Sequence, residues 1–145
     1  MPFDRAGLEV LDTEQCLALL RRVELGRVAV CTAGFPAIFP VNFRLLDRSV
    51  VFRTGEGTKL NSAIWNAGIA FEADAVNSVF ELGWSVMIVG RAEEVVDPTE
   101  IAETVQMGLR PWAPGSRSHV IRIKGDSISG RRIVGNGDSH RTDTI

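Results

Sequence analysis

The amino-acid sequence predicts a mainly β protein of the α+β class, a six- to seven-stranded antiparallel β-barrel with about three short peripheral helices. Its 145 residues match the commonest size of a single domain. Apolar residues make up 45% and charged residues 23%, close to the averages for globular proteins. Short β-branched and aromatic runs alternate with turn residues, which is typical of a barrel. A parallel sheet of βαβ units is the weaker alternative.

One folding unit is expected over residues 1–134, followed by a polar tail at residues 135–145. Two domains in a chain of this length would each be undersized. The sequence contains no repeat, no heptad pattern and no low-complexity tract that would divide it. We therefore expect one main hydrophobic core.

Charge and cysteine usage exclude several classes of partner. Sixteen basic and eighteen acidic side chains leave a net charge of -2, which supplies no broad positive field for nucleic acid. The start of the chain lacks a leader pattern, and no stretch approaches the roughly 18 apolar residues of a membrane span. Cys16 and Cys31 lack C-x-x-C spacing and are expected to be reduced core thiols. The sequence therefore predicts a cytoplasmic protein without nucleic-acid or membrane partners.

Three helices are predicted from capping and proline signals that precede apolar residues at helical spacing. They cover residues 13–23, 57–66 and 98–107. Asp12 stands ahead of the first helix as a cap, with Gln15 three residues on. Thr58 is the expected cap of the second helix, and Pro98 suits the first turn of the third.

The strands are predicted from runs of β-branched and aromatic residues between turn signals. The first lies around Val28 and Val30, and it forms a three-stranded meander with the next two. Gly125 and Asp126 are expected to form a turn into a final segment that ends near Val134. The remaining predicted strands cover residues 38–46, 50–52, 69–73, 84–96 and 119–124.

The segment from Val51 to Leu60 has the composition of an anion site. Arg53 offers a planar fork for phosphate oxygens, Lys59 offers a point charge, and Thr54 and Thr58 offer hydroxyl donors. Glycines in the turn let the backbone and the positive end of the following helix approach an anion. A Walker loop is excluded because Lys59 follows Thr58 rather than preceding a hydroxyl residue. An ordinary strand-to-helix turn with solvated charges remains equally open.

A tryptophan beside a serine at the start of a long strand is a second candidate feature. Trp84 and Ser85 could stack on a heteroaromatic ring or form hydrogen bonds to it, although tryptophan at such a position is more often a core residue. A nucleophile elbow is excluded, since Met87 stands where G-x-S-x-G needs its second glycine.

No catalytic group stands out elsewhere. His119 and His140 are far apart and lack neighbouring metal ligands, so no metal site is expected. Glu72, Asp74 and Glu81 are possible acids or bases, but scattered carboxylates of this kind are usually solvated. Arg110, Arg131 and Arg132 are interpreted as surface charges, and the catalytic residues stay unassigned.

Taken in order, these stretches resemble the pyridoxamine 5'-phosphate oxidase-like family of flavin-binding split β-barrels, in its nitroimidazole-reductase-like and deazaflavin-reductase-like branch. The resemblance covers roughly residues 11–134. The matching pieces are LGRVA at 25–29, FPVNF at 39–43, FRT at 52–54 with GTK at 57–59, AFEAD at 70–74, GWSV at 83–86 with GRA at 90–92, and ISGRR at 128–132.

The resemblance implies a homodimer that holds flavin mononucleotide (FMN) in a groove between two barrels. By this analogy Arg53, Thr54 and Lys59 hold the phosphate, and Thr58 lies in the same region. The resemblance also implies that the backbone groups of Pro40, Val41 and Asn42 meet the edge of the flavin ring. Trp84 and Ser85 would approach the ring or the phosphate, from the same subunit or from the other one. The flavin then carries the hydride or electrons, and the protein positions it.

The sequence also departs from the vitamin-processing members of this family. Arg117, Ser118 and His119 match their R-x-H substrate clamp in spacing only, so oxidation of pyridoxamine phosphate is not expected. The resulting expectation is an oxidoreductase that acts on a small, planar, electron-poor molecule. The deazaflavin coenzyme F-420 is an alternative cofactor, and a flavin carrier or sensor without turnover is an alternative role. An interaction module without any cofactor is the third hypothesis.

Overall fold

The computed structural model describes residues 2–65, 68–77, 79, 82–111 and 118–133. The predicted tail at 135–145 therefore lies outside the described residues. The elements in chain order are β1 (Glu9–Leu11), α1 (Thr13–Leu20), β2 (Leu25–Thr32), β3 (Phe35–Leu46), β4 (Ser49–Gly55), α2 (Lys59–Ala63), β5 (Ile69–Asn77), β6 (Leu82–Glu94), α3 (Pro98–Gln106) and β7 (Ser118–Ile133).

Six strands close into an antiparallel barrel in the order β7-β4-β3-β2-β5-β6, and the pairing of β6 with β7 completes the circle. β1 adds a short seventh strand beside β7. The predicted fold class is confirmed, including the three helices and the meander of β2, β3 and β4. No helix in the described part of the chain is long and apolar enough to cross a membrane.

Alternation along the strands sorts side chains between the barrel interior and its outer face. Phe43, Phe52 and Phe71 are fully buried inside, and the rings of Phe43 and Phe71 meet edge to face with centroids 4.8 Å apart. Burial of aromatic side chains contributes on the order of 1.5–3 kcal/mol each relative to exposure. This interior makes the barrel a rigid support for its outer face.

The helix α1 covers one end of the barrel. Asp12 caps it in a full capping box with Gln15, as predicted, and Leu17 and Leu20 are buried against the core. The helix ends at Leu20, three residues before the predicted end, because the N–H groups of residues 22 and 23 bond to carbonyls only three positions back.

The helix α3 packs on the outer face of the barrel rather than on its interior. It begins at Pro98 as predicted, behind the cap Asp97. Ile101 and Met107 pack against a second apolar cluster, formed by Leu46, Val51, Val95, Leu109 and Val120. Arg122 on β7 forms ion pairs with Glu100 of this helix and with Glu93.

The predicted turn at Gly125 and Asp126 is wrong, because β7 runs unbroken from Ser118 to Ile133. Gly90 faces Gly125 and Val89 faces Ser127, so Asp126 is an extra residue in a β-bulge. A Cβ on Gly90 would lie 1.9 Å from the carbonyl oxygen of Lys124, which explains the glycine. Bulges of this kind bend strands and help a sheet to close into a barrel.

Two further predictions are wrong. Cys16 is buried, but Cys31 is exposed on β2, so only one cysteine is a core residue. Arg132 is not a free surface charge, because it forms a two-pronged ion pair with Glu9 at 3.0 and 3.1 Å, and Glu9 is only 1% exposed. This pair anchors β1, a strand that the sequence did not predict, to the end of β7.

Candidate functional site

The predicted anion site lies where β3 and β4 separate. The two strands pair from Phe43–Phe52 to Leu46–Ser49, and beyond Phe52 the strand β4 pairs only with β7 among the described strands. Asn42 and Arg53 are each one residue past the last paired position, so they stand at the opening of this gap. Both are half-buried on the outer face.

Arg53 has unused hydrogen-bonding capacity. Its Nε is buried and has no acceptor within the described part of the chain. Lys59, six residues further along the chain, is exposed. A buried guanidinium donor without an acceptor costs about 1–3 kcal/mol, which an anionic ligand would offset. The residues present therefore fit a bound phosphate.

The turn between β4 and α2 keeps both cations at one end of the barrel. Gly57 has a φ of 82°, a left-handed conformation that glycine adopts without strain. Thr58 caps α2 as predicted, since its Oγ accepts from Asn61 N and donates to Gly55 O at 2.7 Å. With five residues, α2 is too short for its dipole to count as an anion site.

The two threonines of the predicted cradle use their hydroxyl protons locally. The Thr54 side chain faces the interior, is 1% exposed and donates to Asn61 Oδ1 at 2.7 Å. The Thr58 proton goes to the Gly55 carbonyl. Arg53, Lys59 and backbone N–H groups are therefore the donors left for a phosphate, and a direct contact from Thr54 or Thr58 stays a prediction.

Pro40, Val41 and Asn42 lie on the part of β3 that pairs with β2 on one side only. The register joins Pro40 to Arg27, Val41 to Gly26 and Asn42 to Leu25, whereas β4 begins to pair only at Phe43. The backbone groups of residues 40–42 that point towards β4 are therefore not used in a strand ladder. A ring edge that needs backbone hydrogen bonds fits this position.

A cavity of about 370 Å³ adjoins the same gap. Asn42, Arg44 and Arg110 line it together with Glu24 and Gly108. Arg44 is held by Glu24 at 3.2 Å and by the carbonyls of Phe43 and Met107. Arg110 is exposed, and because Glu24 offsets the charge of Arg44, Arg110 is the lining cation left for an anion in this cavity.

The structure separates Trp84 from Ser85. Trp84 is 4% exposed, belongs to the main core cluster, and its indole Nε1 has no acceptor among the residues described. Ser85 is exposed on the outer face. Both line a cavity of about 290 Å³ that lies across β5, β6 and β7. Their contact with a ring stays a prediction.

A carboxyl pair on β5 forms part of the same cavity wall. Glu72 and Asp74 are two residues apart on the outer face, and Arg27 Nη1 lies 3.8 Å from an oxygen of each. Burial and then the adjacent Asp74 carboxyl raise the pKa of Glu72 to about 7. Glu72 Oε1 is buried without a hydrogen-bond partner in the described chain.

The sequence predicts Glu72 and Asp74 as possible acids or bases that are solvated, whereas both are half-buried in the structure. Their two-residue spacing on a strand placed them on one face, a signal that was available. Arg27 was not singled out, because only the pairing of β2 with β5 brings it beside Glu72.

The other candidates contribute less. His119 Nδ1 lies 3.2 Å from Glu94 Oε2, and Arg117 of the R-x-H spacing lies outside the described residues. Burial raises the pKa of the Cys16 thiol, so this cysteine stays protonated and unreactive. Among the residues that the structure describes, no three metal-ligating side chains come together.

The fold and the site define a class: a six-stranded antiparallel split barrel with a candidate anion site at the gap between two strands. A sequence model of the family described as pyridoxamine 5'-phosphate oxidase matches residues 12–132. The chain belongs to this pyridoxamine 5'-phosphate oxidase-like family, as the resemblance predicted.

Known proteins are similar over most of the chain. Rv0080 of Mycobacterium tuberculosis, an uncharacterized protein, is 35% identical over 129 residues, which cover 86% of this chain and 84% of that protein. The FAD binding protein from Mycobacterium smegmatis is 40% identical with a TM-score of 0.76, covering 87% of this chain and all of that one. DIP1874 of Corynebacterium diphtheriae, of unknown function, is 31% identical with a TM-score of 0.70, covering 88% and 98%.

Proposed function

We propose that this protein is a homodimeric flavin-dependent oxidoreductase of the cytoplasm that acts on a small planar substrate. The observation that carries the proposal is the buried, unpaired Nε of Arg53 at the gap between β3 and β4. Membership of a flavin-binding family supplies the chemical class of the ligand. The free thiols of Cys16 and Cys31 agree with a reducing compartment.

In this proposal the chain's own residues bind and orient the flavin. Arg53 and Lys59 hold the phosphate of FMN, and the unused backbone groups of residues 40–42 meet the ring edge. The bound flavin would supply hydride or electron transfer. The rigid barrel interior behind Val41 and Phe43 fixes the position of this edge.

The apolar outer face of the barrel supports the homodimer. The register places four apolar side chains in one row across β3, β2, β5 and β6. The row consists of Ile38, Ala29, Ala70 and Val89. Ile38 is 68% exposed and Val89 41% exposed. An exposed apolar band of this kind marks an association surface, and a second copy would cover it with the same band.

FAD is the second candidate cofactor, since a relative at 40% identity is an FAD binding protein. The cavity beside Asn42, Arg44 and Arg110 offers space and positive charge for a second phosphate. F-420 also carries a longer acidic tail that Arg110 would suit. FMN has one phosphate and leaves this cavity unused.

The absorption spectrum of the purified protein tests the cofactor. We expect flavin absorbance, either as purified or after addition of a flavin. Calorimetric titration with FMN, FAD and F-420 then ranks the three, and a parallel titration of Arg110→Ala separates them. Loss of FAD or F-420 affinity with unchanged FMN affinity in this variant would identify the cavity as a second phosphate site. Absence of binding to all three would refute the flavin proposal and leave the interaction module.

Turnover requires a separate measurement. Reduced flavin bound to the protein is mixed with a panel of planar electron acceptors, including nitroaromatic compounds, and reoxidation is followed by absorbance. An oxidoreductase accelerates reoxidation relative to free reduced flavin. Reoxidation at the rate of free reduced flavin, with every acceptor, would instead indicate a flavin carrier or sensor.

A further inference from the structure

Small residues on β6 create a trough on the outer face of the barrel. The register places Gly83 between Val76 and Ile133, and in the next row Ser85 lies between Asp74 and Arg131. In both rows a small central residue is flanked by larger neighbours on both sides. We call this depression the Gly83 trough; it is the cavity of about 290 Å³ that Trp84 and Ser85 line.

The ends and walls of the trough are chemically different. Val76, Ile133 and Leu8 make an apolar end, with Val76 and Ile133 72% and 44% exposed. Glu72 and Asp74 make an acidic wall, and Met87 stands opposite Glu72 in the following row on β6. An apolar end joined to a polar wall is the usual composition of a small-molecule site.

The trough has an excess of negative charge. Arg131 on the opposite wall is already paired with Asp4 at 3.1 Å, and it also donates to the Gly130 carbonyl. Arg27 is the cation that faces Glu72 and Asp74, at 3.8 Å from each. Glu72 and Asp74 together with Arg27 therefore have a net charge of -1 when both carboxyls are ionised. They are neutral when the two carboxyls retain one proton.

One polar atom at the trough also lacks a hydrogen-bond partner. Glu72 Oε1 is buried with no hydrogen-bond donor among the described residues, and its ion pair with Arg27 Nη1 is 3.8 Å long. The Trp84 side chain belongs to the core on the other face of the sheet, so its indole N–H plays no part in the trough. A ligand with a donor group would satisfy Glu72.

We propose that the Gly83 trough binds a small planar molecule that carries a cationic nitrogen, with its ring over Gly83 and its nitrogen against Glu72 and Asp74. The size of the cavity suits one or two aromatic rings. That this molecule is the substrate rests on the proposed flavin-dependent function, whereas the binding site itself does not.

Benzamidine is the probe, because it is planar and cationic, and benzamide is its neutral isostere. Calorimetric titration of the full chain, with and without flavin, should show benzamidine binding at least about tenfold tighter than benzamide. Affinity for benzamidine should increase as the pH rises through about 7, since the cation displaces the proton that Glu72 shares with Asp74 beside Arg27. The Asp4–Arg131 pair contributes no net charge to this dependence.

Two variants and a control locate the site. Glu72→Gln keeps the shape and should weaken benzamidine binding about tenfold or more while benzamide is unaffected. Gly83→Ala adds a Cβ at 3.3 Å from the Ala75 carbonyl oxygen and 3.6–3.7 Å from Val76 and Ile133, so it shallows the trough and should weaken both probes. Glu103→Gln, an exposed carboxyl on α3, should change neither.

The outcomes separate this inference from the proposed function. Equal affinity for benzamidine and benzamide, or a folded Glu72→Gln variant with unchanged benzamidine affinity, would overturn the trough even if flavin binds. Benzamidine binding that depends on Glu72 in a protein that binds no flavin would support the trough and refute the flavin proposal.

Discussion

At the scale of single residues, Arg53 and Lys59 are the two cations that the cofactor proposal depends on. Replacing either by alanine should weaken FMN binding by about 1.5–3 kcal/mol, roughly ten- to a hundredfold or more, because a hydrogen bond to a charged group is lost. Calorimetry with riboflavin, which lacks the phosphate, is the control and should change much less. If both variants bind FMN like the parent, the phosphate lies elsewhere.

Trp84 and Ser85 should differ although they are neighbours. Trp84→Phe leaves a void in the core, so we expect a loss of about 1–3 kcal/mol in the free energy of unfolding of the flavin-free protein. Ser85→Ala, at an exposed position, should stay within about 0.5 kcal/mol. Flavin affinity measured on both variants tests the predicted ring contact. An unchanged affinity in Trp84→Phe would assign that residue to the core alone.

Glu72 should make the stability of the fold depend on pH. Its pKa is about 7 in the folded protein and near 4.5 when unfolded, so the folded state binds more protons between these values. Stability therefore decreases as the pH rises through this window. Glu72→Gln should lack that decrease, and its melting temperature relative to the parent should rise from acidic pH to about pH 8. The melting temperature of Glu103→Gln should show the same pH dependence as that of the parent.

At the scale of elements, the sequence predicted what local signals determine. Asp12 with Gln15, Thr58 and Pro98 mark helix starts because capping is a contact within four residues. The bulge in β7 was missed because glycine followed by aspartate is equally typical of a turn. The partner strand decides between these two, and no local pattern contains that information.

In the candidate site, too, local groupings could be predicted from the sequence, whereas contacts between distant strands could not. Arg53, Thr58 and Lys59 lie within seven residues, and their grouping could be predicted from the chain alone. The gap between β3 and β4, the salt bridge of Glu9 with Arg132 and the position of Arg27 depend on pairing between distant strands. The hydroxyl of Thr54 predicts a phosphate donor, but the sequence does not show that this hydroxyl donates to Asn61 in the folded protein.

The close approach of β6 and β7 at Gly90 should be intolerant of any side chain. Gly90→Ala puts a Cβ 1.9 Å from the Lys124 carbonyl oxygen, so the strands must separate and the barrel opens. We expect a destabilisation of more than about 3 kcal/mol, measured by denaturant unfolding. Gly68→Ala is the matched control, since its Cβ would lie 3.5 Å from its nearest neighbour. Equal stability of the two variants would contradict the bulge geometry.

At the scale of the whole molecule, the outer face of the barrel has one side that a helix covers and another side that we propose a second copy covers. The helix α3 and its apolar cluster cover the side near Val51 and Val120. In the row of Ile38, Ala29, Ala70 and Val89, Ile38 is 68% exposed and Val89 is 41% exposed. The proposed flavin edge at residues 40–42 lies on β3 beside this row, so a second copy seated there would also close the flavin site.

Association should therefore fail when charge is placed in that row. The parent is expected to sediment as a dimer at micromolar concentration, whereas Ile38→Lys and Val89→Lys should sediment as monomers, because a two-fold interface brings each new charge near its own copy. Val105→Lys, at a 59% exposed valine on α3, is the control and should remain dimeric. Flavin at a hundredfold excess over its dissociation constant should stabilise the parent by about 2.7 kcal/mol, and the two monomeric variants much less, since their site lacks the second copy. A monomeric parent, or monomers that keep full flavin stabilisation, would place the complete site within one chain.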